Sequence, residues 1–402
     1  MARAMLAPST SLLTISTLVL VTLLLSAVST AVEQVPQSEA AVTTASSNEE
    51  QLSEVLNTEF QGEDDGIVDF EMLEADEKVE TPPPHCKCPK HHHKHKKHRL
   101  HIPVEFSHRD VEELNVILNA EYLEAEFFLH AGYGFGLNEF NGTSVNVTGP
   151  PPIGAQKAHT GRFIEHLAKE FGLQSLGHIR EITAKLGERS IARPQIDISR
   201  KVWGGLFNEA FGRKLKPAFD PYTTGNHFLL AAYMLPYVSY TGYVALNMHA
   251  QGNSARHLVA RLAGVKGAED ASIRTVLYQR RRQKVERYNM TVGEFTSVLS
   301  ALREKLDRDN QNVTDPMTND SFSLPPTIDE GILVPGNETP EKLLTGNIVT
   351  VNDNSLSMGR TPEQILQVLY GTGNASIPGL FFPFGANGKL AAKYLSAPPS
   401  TS

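Results

Sequence analysis

The sequence has few cysteines, with only Cys86 and Cys88 in 402 residues. Because one residue separates them, they cannot link distant parts of the chain, and the fold must be stable without a structural disulfide. The chain also lacks a phosphate-binding P-loop, a dinucleotide-binding turn, a G-x-S-x-G nucleophile and an H-E-x-x-H zinc helix. Its net charge of −8 gives no basic surplus for nucleic acid. We therefore expect a protein that depends on a hydrophobic core and has no nucleic-acid partner.

Residues 1–31 predict a secretory signal. Arg3 precedes an apolar run from Leu12 to Leu25, and small residues follow up to Ala31. This order is typical of a signal peptide cleaved near Ser29 or Ala31, although an uncleaved anchor has a similar composition. No later segment is expected to cross a membrane. The predicted location is the extracellular space, as in the apoplast and cell wall, or the vacuole.

Glycosylation sequons agree with the secretory route, because Asn-X-Ser/Thr is an acceptor only in chains that enter it. The sequon at Asn337 is the weakest, because Pro340 follows it directly. The other six predicted acceptors are Asn141, Asn146, Asn289, Asn312, Asn319 and Asn374.

Two tails of opposite composition precede the body of the chain. Residues 32–84 are acidic, polar and nearly free of aromatic side chains, which predicts a disordered segment. Residues 85–101, HCKCPKHHHKHKKHRLH, hold both cysteines and seven of the fifteen histidines. Thiolate and imidazole groups are ligands of zinc, copper and nickel, so this tail is a candidate metal site. Its candidate ligands are His85, Cys86, Cys88, His91, His92, His93 and His95.

The histidine-rich tail also has two explanations that involve no metal. It can be a solvated polycationic linker that pairs with the acidic tail before it. In an acidic compartment its histidines become cationic, and it would then bind anionic cell-wall polysaccharide or an anionic membrane surface. Catalysis is not expected there, because a disordered tract cannot hold an open coordination position accurately.

Residues 102–310 have the spacing of amphipathic helices. The first begins at the capping residue Ser107 and places Glu121 on its apolar face. The second covers about 161–185 and places His178 on its apolar face. Further helices are predicted over about 226–248, kinked at Pro236, over about 268–288, and from the capping box that begins at Thr291. Strand signals are weak throughout, so the predicted fold is an all-α antiparallel four-helix bundle.

Residues 311–402 are predicted to be a C-terminal extension with long loops and one short helix. The stretch from Asp307 to Met358 is rich in asparagine, proline and glycine, which favours irregular surface structure. The helix has clear boundaries in RTPEQILQVLYG, with Thr361 as its cap, Pro362 in its first turn and Gly371 as its end.

The body resembles the plant desiccation-related proteins of the ferritin-like superfamily. The resemblance lies in NAEYLEAEFF from Asn119, GPPPIGAQKA from Gly149, LPYVSYTGYV from Leu235, DASIRTVLY from Asp270, and RTPEQILQVLYGTGN with GLFFPFGANG near the end. It implies a ferritin-like four-helix bundle with extra C-terminal helices, a secretory or cell-wall setting and an association with dehydration stress. It implies no particular reaction.

The ferritin-like pattern of metal ligands carries over to this sequence only in part. Glu121 matches the ligand of the first helix and His178 the histidine of the second. Serine stands at the next two carboxylate positions, Ser175 and Ser239, and the last pair falls on Lys266 and Glu269. Two divalent ions require about four carboxylates in a bundle of low dielectric. Iron or manganese in the core is therefore disfavoured.

Two interpretations of the remaining candidate ligands, Glu121, His178 and Glu269, stay open. In the favoured one they form a buried hydrogen-bonded network, and the protein is a non-catalytic protective or cell-wall component. In the other they hold iron or manganese in an oxidase or ferroxidase, with Glu124 as a reserve ligand. A third interpretation makes the protein an extracellular metal chelator through its tail. Glu126 with His130, and His166 with Glu170, are expected to be surface pairs.

Overall fold

A computed structural model describes residues 105–142, 145–307, 329–333, 347–352 and 354–396, with the backbone of residues 312–314 and 321–323. The α-helices in these ranges are α1 (His108–Tyr133), α2 (Arg162–Leu186), α3 (Arg200–Ala210), α4 (Gly225–Ala232), α5 (Pro236–His249), α6 (Asn253–Gln279), α7 (Val292–Asp307), α8 (Pro362–Tyr370) and α9 (Lys389–Ser396). Short 3-10 turns cover Leu137–Phe140 and Gly187–Arg189. Strands β1 (Asn312–Thr314) and β2 (Ser321–Ser323) pair antiparallel, with Val313 opposite Phe322.

Helix α1 is the central element of the bundle. The Ser107 hydroxyl accepts from the Asp110 backbone N–H and the Asp110 carboxylate accepts from the Ser107 N–H, so the predicted cap forms. The helix ends at Gly134, whose φ of 87° is the left-handed conformation that glycine adopts readily. It packs most extensively against α2. The two backbones approach closely at Gly172, where an added Cβ would lie 2.9 Å from the Leu129 backbone nitrogen.

The predicted third helix, 226–248, is two helices in the structure. Helix α4 ends at Ala232, and α5 begins at Pro236, which has no N–H to continue the first helix. By length and mean hydropathy alone, Gly225–His249 could cross a membrane, contrary to the expectation from sequence. However, 89% of the 18-residue apolar window within this segment is buried inside the protein, as in a core helix.

The predicted fourth helix was placed too late in the chain. Helix α6 covers Asn253–Gln279 and packs against α5, so it begins well before residue 268 and stops before the basic run RRRQK. Small residues near its middle, among them Gly264 and Gly267, weaken the apolar periodicity and explain the error. The basic run lies in a turn, in which the Gln283 N–H donates to the Arg280 carbonyl at 2.8 Å.

The C-terminal extension is part of the core and not a surface excursion. A cluster of buried charge, the arginine cluster, connects it to the bundle; its members are Arg274, Arg303, Arg360, Asp270, Asp307 and Asp329. The Arg303 guanidinium donates to both oxygens of Asp329 at 2.6 and 2.9 Å, and Arg360 donates to Asp307 at 2.7 Å. Because Asp329 lies in the stretch predicted to be irregular surface, that expectation is wrong here.

Two helices were not predicted. Helix α3 is capped by the Ser199 hydroxyl and buries Trp203, whose ring lies 5.1 Å from that of Phe127 and 4.8 Å from that of Phe381. Helix α9 packs against α1, so the described part of the extension contains two short helices where one was expected. Both helices are short, and their stability comes from tertiary contacts that a local pattern does not reveal.

Candidate functional site

Four helices of the bundle direct polar side chains to one buried centre. Each helix supplies two residues that lie three or four positions apart and therefore share a face. We call this group the Lys266 centre. Its members are Glu121 and Glu124 on α1, Ser175 and His178 on α2, Ser239 and Tyr243 on α5, and Lys266 and Glu269 on α6.

The ammonium group of Lys266 lies in the middle of the carboxylates. Its Nζ is 2.7 Å from Glu124 Oε2, 2.9 Å from Glu269 Oε2 and 3.2 Å from Glu121 Oε2. It also donates to Ser175 Oγ at 2.9 Å. The Lys266 side chain is 0% exposed, so these contacts replace all of its hydration. A buried ammonium requires such partners, because without them its desolvation would be prohibitive.

A second set of contacts fixes the orientation of the carboxylates. The Tyr243 hydroxyl donates to Glu121 Oε1 at 2.8 Å, and His178 Nδ1 lies 3.2 and 3.3 Å from the two oxygens of Glu121. The Ser239 hydroxyl donates to Glu124. The one oxygen left over is Glu269 Oε1, which is buried and has no hydrogen-bond partner among the described residues.

One ammonium cannot neutralise three carboxylates, and the pKa values show the imbalance. Burial raises the pKa of Glu121, but the charges of Lys266 and His178 lower it further, to about 2. Burial raises the pKa of Glu269 to about 8, because its attraction to Lys266 is offset by repulsion from Glu124 and Glu121. The pKa of Glu124 is also raised, mainly by burial. Burial would lower the pKa of Lys266, but the three carboxylates hold it well above its usual value.

The residues at this centre do not fit the metal ions of a ferritin-like site. The carboxylate oxygens converge on an ammonium group, which is a cation without a lone pair and so cannot be a ligand. The predicted ligand Glu269 pairs with Lys266, and the predicted ligands Glu121 and His178 contact each other. Across the part of the chain that the structure describes, no three His, Cys, Asp or Glu side chains are grouped to hold a metal ion. We therefore derive no chemistry through iron or manganese here.

The other predicted site residues are distributed as follows. The tail residues Cys86, Cys88 and the histidines from His85 to His95 lie outside the described residues. Among the sequons, the acceptors that are exposed in the structure are Asn141, Asn146 and Asn289, and Asn374 is half-buried. The side chains of Asn312, Asn319 and Asn337 are outside the described residues.

Sequence reasoning placed some of these residues wrongly or missed them. Tyr243 was missed, although it follows Ser239 by one helical turn and shares its face. Glu126 was expected at the surface, but it is 0% exposed and pairs with the buried Arg193. Its neighbour His130 lies 3.3 Å from it and is 18% exposed, so this pair sits at the edge of the core. His166 and Glu170 are exposed and 4.0 Å apart, as expected.

Comparison with known proteins identifies the fold. The ferritin-like domain family matches residues 109–279, which cover α1 to α6. A ferritin-like catalase of Nesocodon mauritianus is 37% identical over 286 residues, 71% of this chain and 86% of that protein. A desiccation-related protein of Craterostigma plantagineum is 38% identical over 280 residues, 70% of this chain and 83% of that protein. No solved structure matches significantly. The chain therefore belongs to the desiccation-related proteins of the ferritin-like superfamily, with an all-α ferritin-like bundle.

Proposed function

We propose that this protein is a secreted, non-catalytic member of the family that protects the cell wall or extracellular space during water stress. The observation that carries the proposal is the position of Lys266 Nζ, within 3.2 Å of an oxygen of each of three buried glutamates. In a ferritin-like bundle this is the place where metal cations would balance the carboxylates. Here a covalently attached cation takes the place of those ions, and the centre stabilises the bundle.

The surroundings of Lys266 also argue against chemistry without a metal. A general base or nucleophile needs an accessible lone pair, whereas this amine stays protonated because its pKa is well above the usual value. Of the members of the centre, His178 has the most exposed side chain, at 10%. Glu121, Glu124 and Glu269 are all at most 1% exposed, so a substrate has no direct access to them.

The amino-terminal features support the secreted setting and add a binding role. The signal sequence and the sequons favour secretion. The tail of residues 85–101 offers thiolates and imidazoles to zinc, copper or nickel, and its lysines and protonated histidines to an anionic polysaccharide or surface. In this proposal the tail binds and the helical body provides a stable scaffold. A tail that binds only metal would make the protein an extracellular chelator.

Elemental analysis of the full chain tests the proposal. The protein is isolated from a secretory host without an affinity tag, and a second form carries Cys→Ser and His→Gln changes at the seven candidate tail ligands. We expect zinc, copper or nickel in the unchanged protein and none in the tail variant. Retention of about two iron or manganese ions per chain by the tail variant, the stoichiometry of a di-metal centre, would overturn the proposal.

A second candidate function is the breakdown of hydrogen peroxide, because one relative is named a ferritin-like catalase. Oxygen release from hydrogen peroxide, measured on the same two preparations with their metal content known, separates the candidates. If the protein is non-catalytic, oxygen release will not exceed the rate measured in buffer alone. Oxygen release by the tail variant that is lost in Glu121→Gln would favour the enzyme. An exposed substitution such as Glu170→Gln is the matched control.

A further inference from the structure

Two basic segments that are far apart in the chain meet on the surface of the helical body. Residues 211–220 follow α3, and residues 280–291 connect α6 to α7. Together they contain eight lysine or arginine residues and two aspartate or glutamate residues, which gives a net charge of +6 in a chain of −8. The Tyr288 hydroxyl donates to the Pro217 carbonyl at 3.0 Å. A basic residue directly precedes each partner of this contact, so the charges of the two segments combine.

Five side chains of these segments are exposed cations without an acidic partner. In the described part of the chain, no salt bridge joins any of them to a carboxylate. Lys284 is not counted among them, because its Nζ donates to Asn289 Oδ1 at 2.6 Å. Exposed cations that are not paired within the protein remain available to an anionic ligand. We call these five the basic surface; its members are Arg213, Lys214, Lys216, Arg282 and Arg287.

Buried residues between the charges hold the basic surface in place. Leu215 lies between two of the lysines and is buried, and its N–H donates to Asn208 Oδ1 at 2.7 Å. In the second segment Val285 is buried, and its N–H donates to the Met290 carbonyl at 2.9 Å. Both loops are therefore anchored to the body. Because the backbone that carries the charges is already ordered, a ligand loses little affinity to the ordering of these loops.

The two acidic side chains of the segments are held by other partners. Glu286 accepts from the Thr224 hydroxyl and from the Asn226 amide, each at 3.1 Å. Asp220 pairs with Arg200, with 3.1 Å between Oδ2 and Nε. Neither carboxylate neutralises a member of the basic surface. The electrostatic field in front of these loops is therefore positive, and such a field attracts polyanions.

The charge and polarity of the basic surface favour a polymeric anion over a small anion or a membrane. Five cations on two loops exceed the charge of one small anion, so a polymer of repeating charge matches them better. No exposed large apolar side chain lies in residues 211–220 or 280–291, which the structure describes completely. A protein that lies in a membrane surface presents such side chains to the lipid. The partner that fits is therefore a soluble polymer with repeating negative groups.

We infer that the basic surface binds an acidic polysaccharide of the polyuronate type. An arginine guanidinium donates two parallel hydrogen bonds to a uronate carboxylate, and each lysine adds a point charge along the polymer. The inference rests on the secreted setting proposed above, and it adds a site on the helical body to the binding role proposed for the tail. Because its cations are arginines and lysines, this site is charged at neutral pH, at which histidines are mostly uncharged.

Interferometry with the full-length protein at pH 7.5 tests the inference. The probes are polygalacturonate, neutral dextran, and vesicles of phosphatidylcholine with phosphatidylglycerol at an equal concentration of anionic groups. We expect binding to polygalacturonate that weakens as salt is added, and no binding to dextran. The absence of binding to polygalacturonate would overturn the inference, and so would equal binding to dextran or tighter binding to the vesicles.

A triple substitution locates the binding. The test variant removes three charges of the basic surface by the changes Arg213→Gln, Lys214→Gln and Lys216→Gln. We expect its affinity for polygalacturonate to fall at least about tenfold, the effect of losing one hydrogen bond to a charged group. The control variant removes three exposed charges elsewhere by the changes Arg180→Gln, Lys389→Gln and Lys393→Gln. Its affinity should stay nearly unchanged. An equal affinity in the two variants would refute the assignment.

Thermal unfolding confirms that each variant is folded. If the test variant unfolds, Arg282→Gln with Arg287→Gln on the second loop replaces it, and Arg180→Gln with Lys389→Gln becomes the control. Metal content and oxygen release from hydrogen peroxide are measured without polygalacturonate. The inference and the proposed function can therefore fail separately.

Discussion

The two clusters of buried charge in this protein differ in their balance. The arginine cluster sets three guanidinium groups against three aspartates, whereas the Lys266 centre sets one ammonium against three glutamates. Burial raises the pKa of all three aspartates; Arg303 and Arg360 bring that of Asp329 below its usual value, whereas those of Asp270 and Asp307 stay raised, at about 6. In the Lys266 centre burial raises the pKa of Glu269 to about 8. The centre therefore balances its third carboxylate with a proton at neutral pH.

The clusters also differ in the part of the chain that they connect. The Lys266 centre joins α1, α2, α5 and α6, which are the helices of the bundle. The arginine cluster joins α6 and α7 to residues 329 and 360, so it attaches the C-terminal extension to that bundle. The Lys266 centre holds the four bundle helices together in the interior. The arginine cluster makes the C-terminal extension part of the same folded unit.

Lys266→Met should have the largest effect on stability. The substitution keeps the length of the side chain and leaves the three buried glutamates without their ammonium partner. We expect the free energy of unfolding to fall by about 3–5 kcal/mol, the usual loss when one partner of a buried ion pair is removed. Urea denaturation at pH 7 measures this change. A loss below about 1 kcal/mol, the range of surface pairs, would show that the ammonium is not essential.

Asp329→Asn tests the arginine cluster in the same way. It removes a negative charge shared by Arg303 and Arg360 while keeping the shape of the side chain. We expect the free energy of unfolding to fall by about 3 kcal/mol, the lower end of the range for buried pairs. Lys305→Gln is the control, because the Lys305 and Glu209 side chains are 69% and 55% exposed. An equal fall in the free energy of unfolding of both variants would show that the arginine cluster contributes no more to stability than an exposed pair.

The Glu121→Gln variant distinguishes a buried hydrogen-bonded network from a metal site. The variant loses the charge that faces Lys266 and His178 but keeps a polar group of the same size. We expect a loss of about 1.5–3 kcal/mol, the contribution of a hydrogen bond to a charged group, with no change in bound metal. Denaturation and elemental analysis of the same sample provide both readouts. Loss of metal together with stability would support a ligand role for Glu121.

The last prediction concerns the proton on Glu269, whose effect on stability depends on pH. Its pKa in the folded protein is about 8, above the ordinary value of 4.5, so the folded state holds a proton that the unfolded state has released. This contribution to stability is complete below about pH 4.5 and is lost as the pH rises through 8. Glu121 acts in the opposite direction, since its pKa of about 2 means that its contribution is complete above about pH 4.5 and is lost as the pH falls through 2.

Glu269→Gln should therefore flatten the pH dependence of stability, because a glutamine has no proton to release as the pH rises. We expect the stability of the unchanged protein to decline between pH 5 and pH 8.5, and that of the variant to decline less. Thermal unfolding across that range provides the comparison, with Glu181→Gln as the exposed control. The same slope in the variant and the unchanged protein would show that Glu269 is ionised in the folded state.

Sequence patterns located those helices whose boundaries are set by local chemistry. The caps at Ser107, Thr291 and Thr361 each form, because a side chain three residues along satisfies the backbone. Helices α3 and α9 were missed because they are short and depend on packing. The burial of Asp329 was missed for a related reason, since an aspartate in a polar stretch resembles a surface residue until its arginine partners are known.

The sequence by itself determined the ferritin-like helical class, the family and the two helix faces that carry Glu121 and His178, because these depend on local periodicity and recurring motifs. The charge on the inner face of α6 was also visible, as Lys266 and Glu269. Only the tertiary structure decided that Lys266 points inward between three glutamates and not outward to water. Side chains from four helices meet at that point, and the balance of burial against attraction depends on distances of 2.7–3.2 Å that no single segment contains.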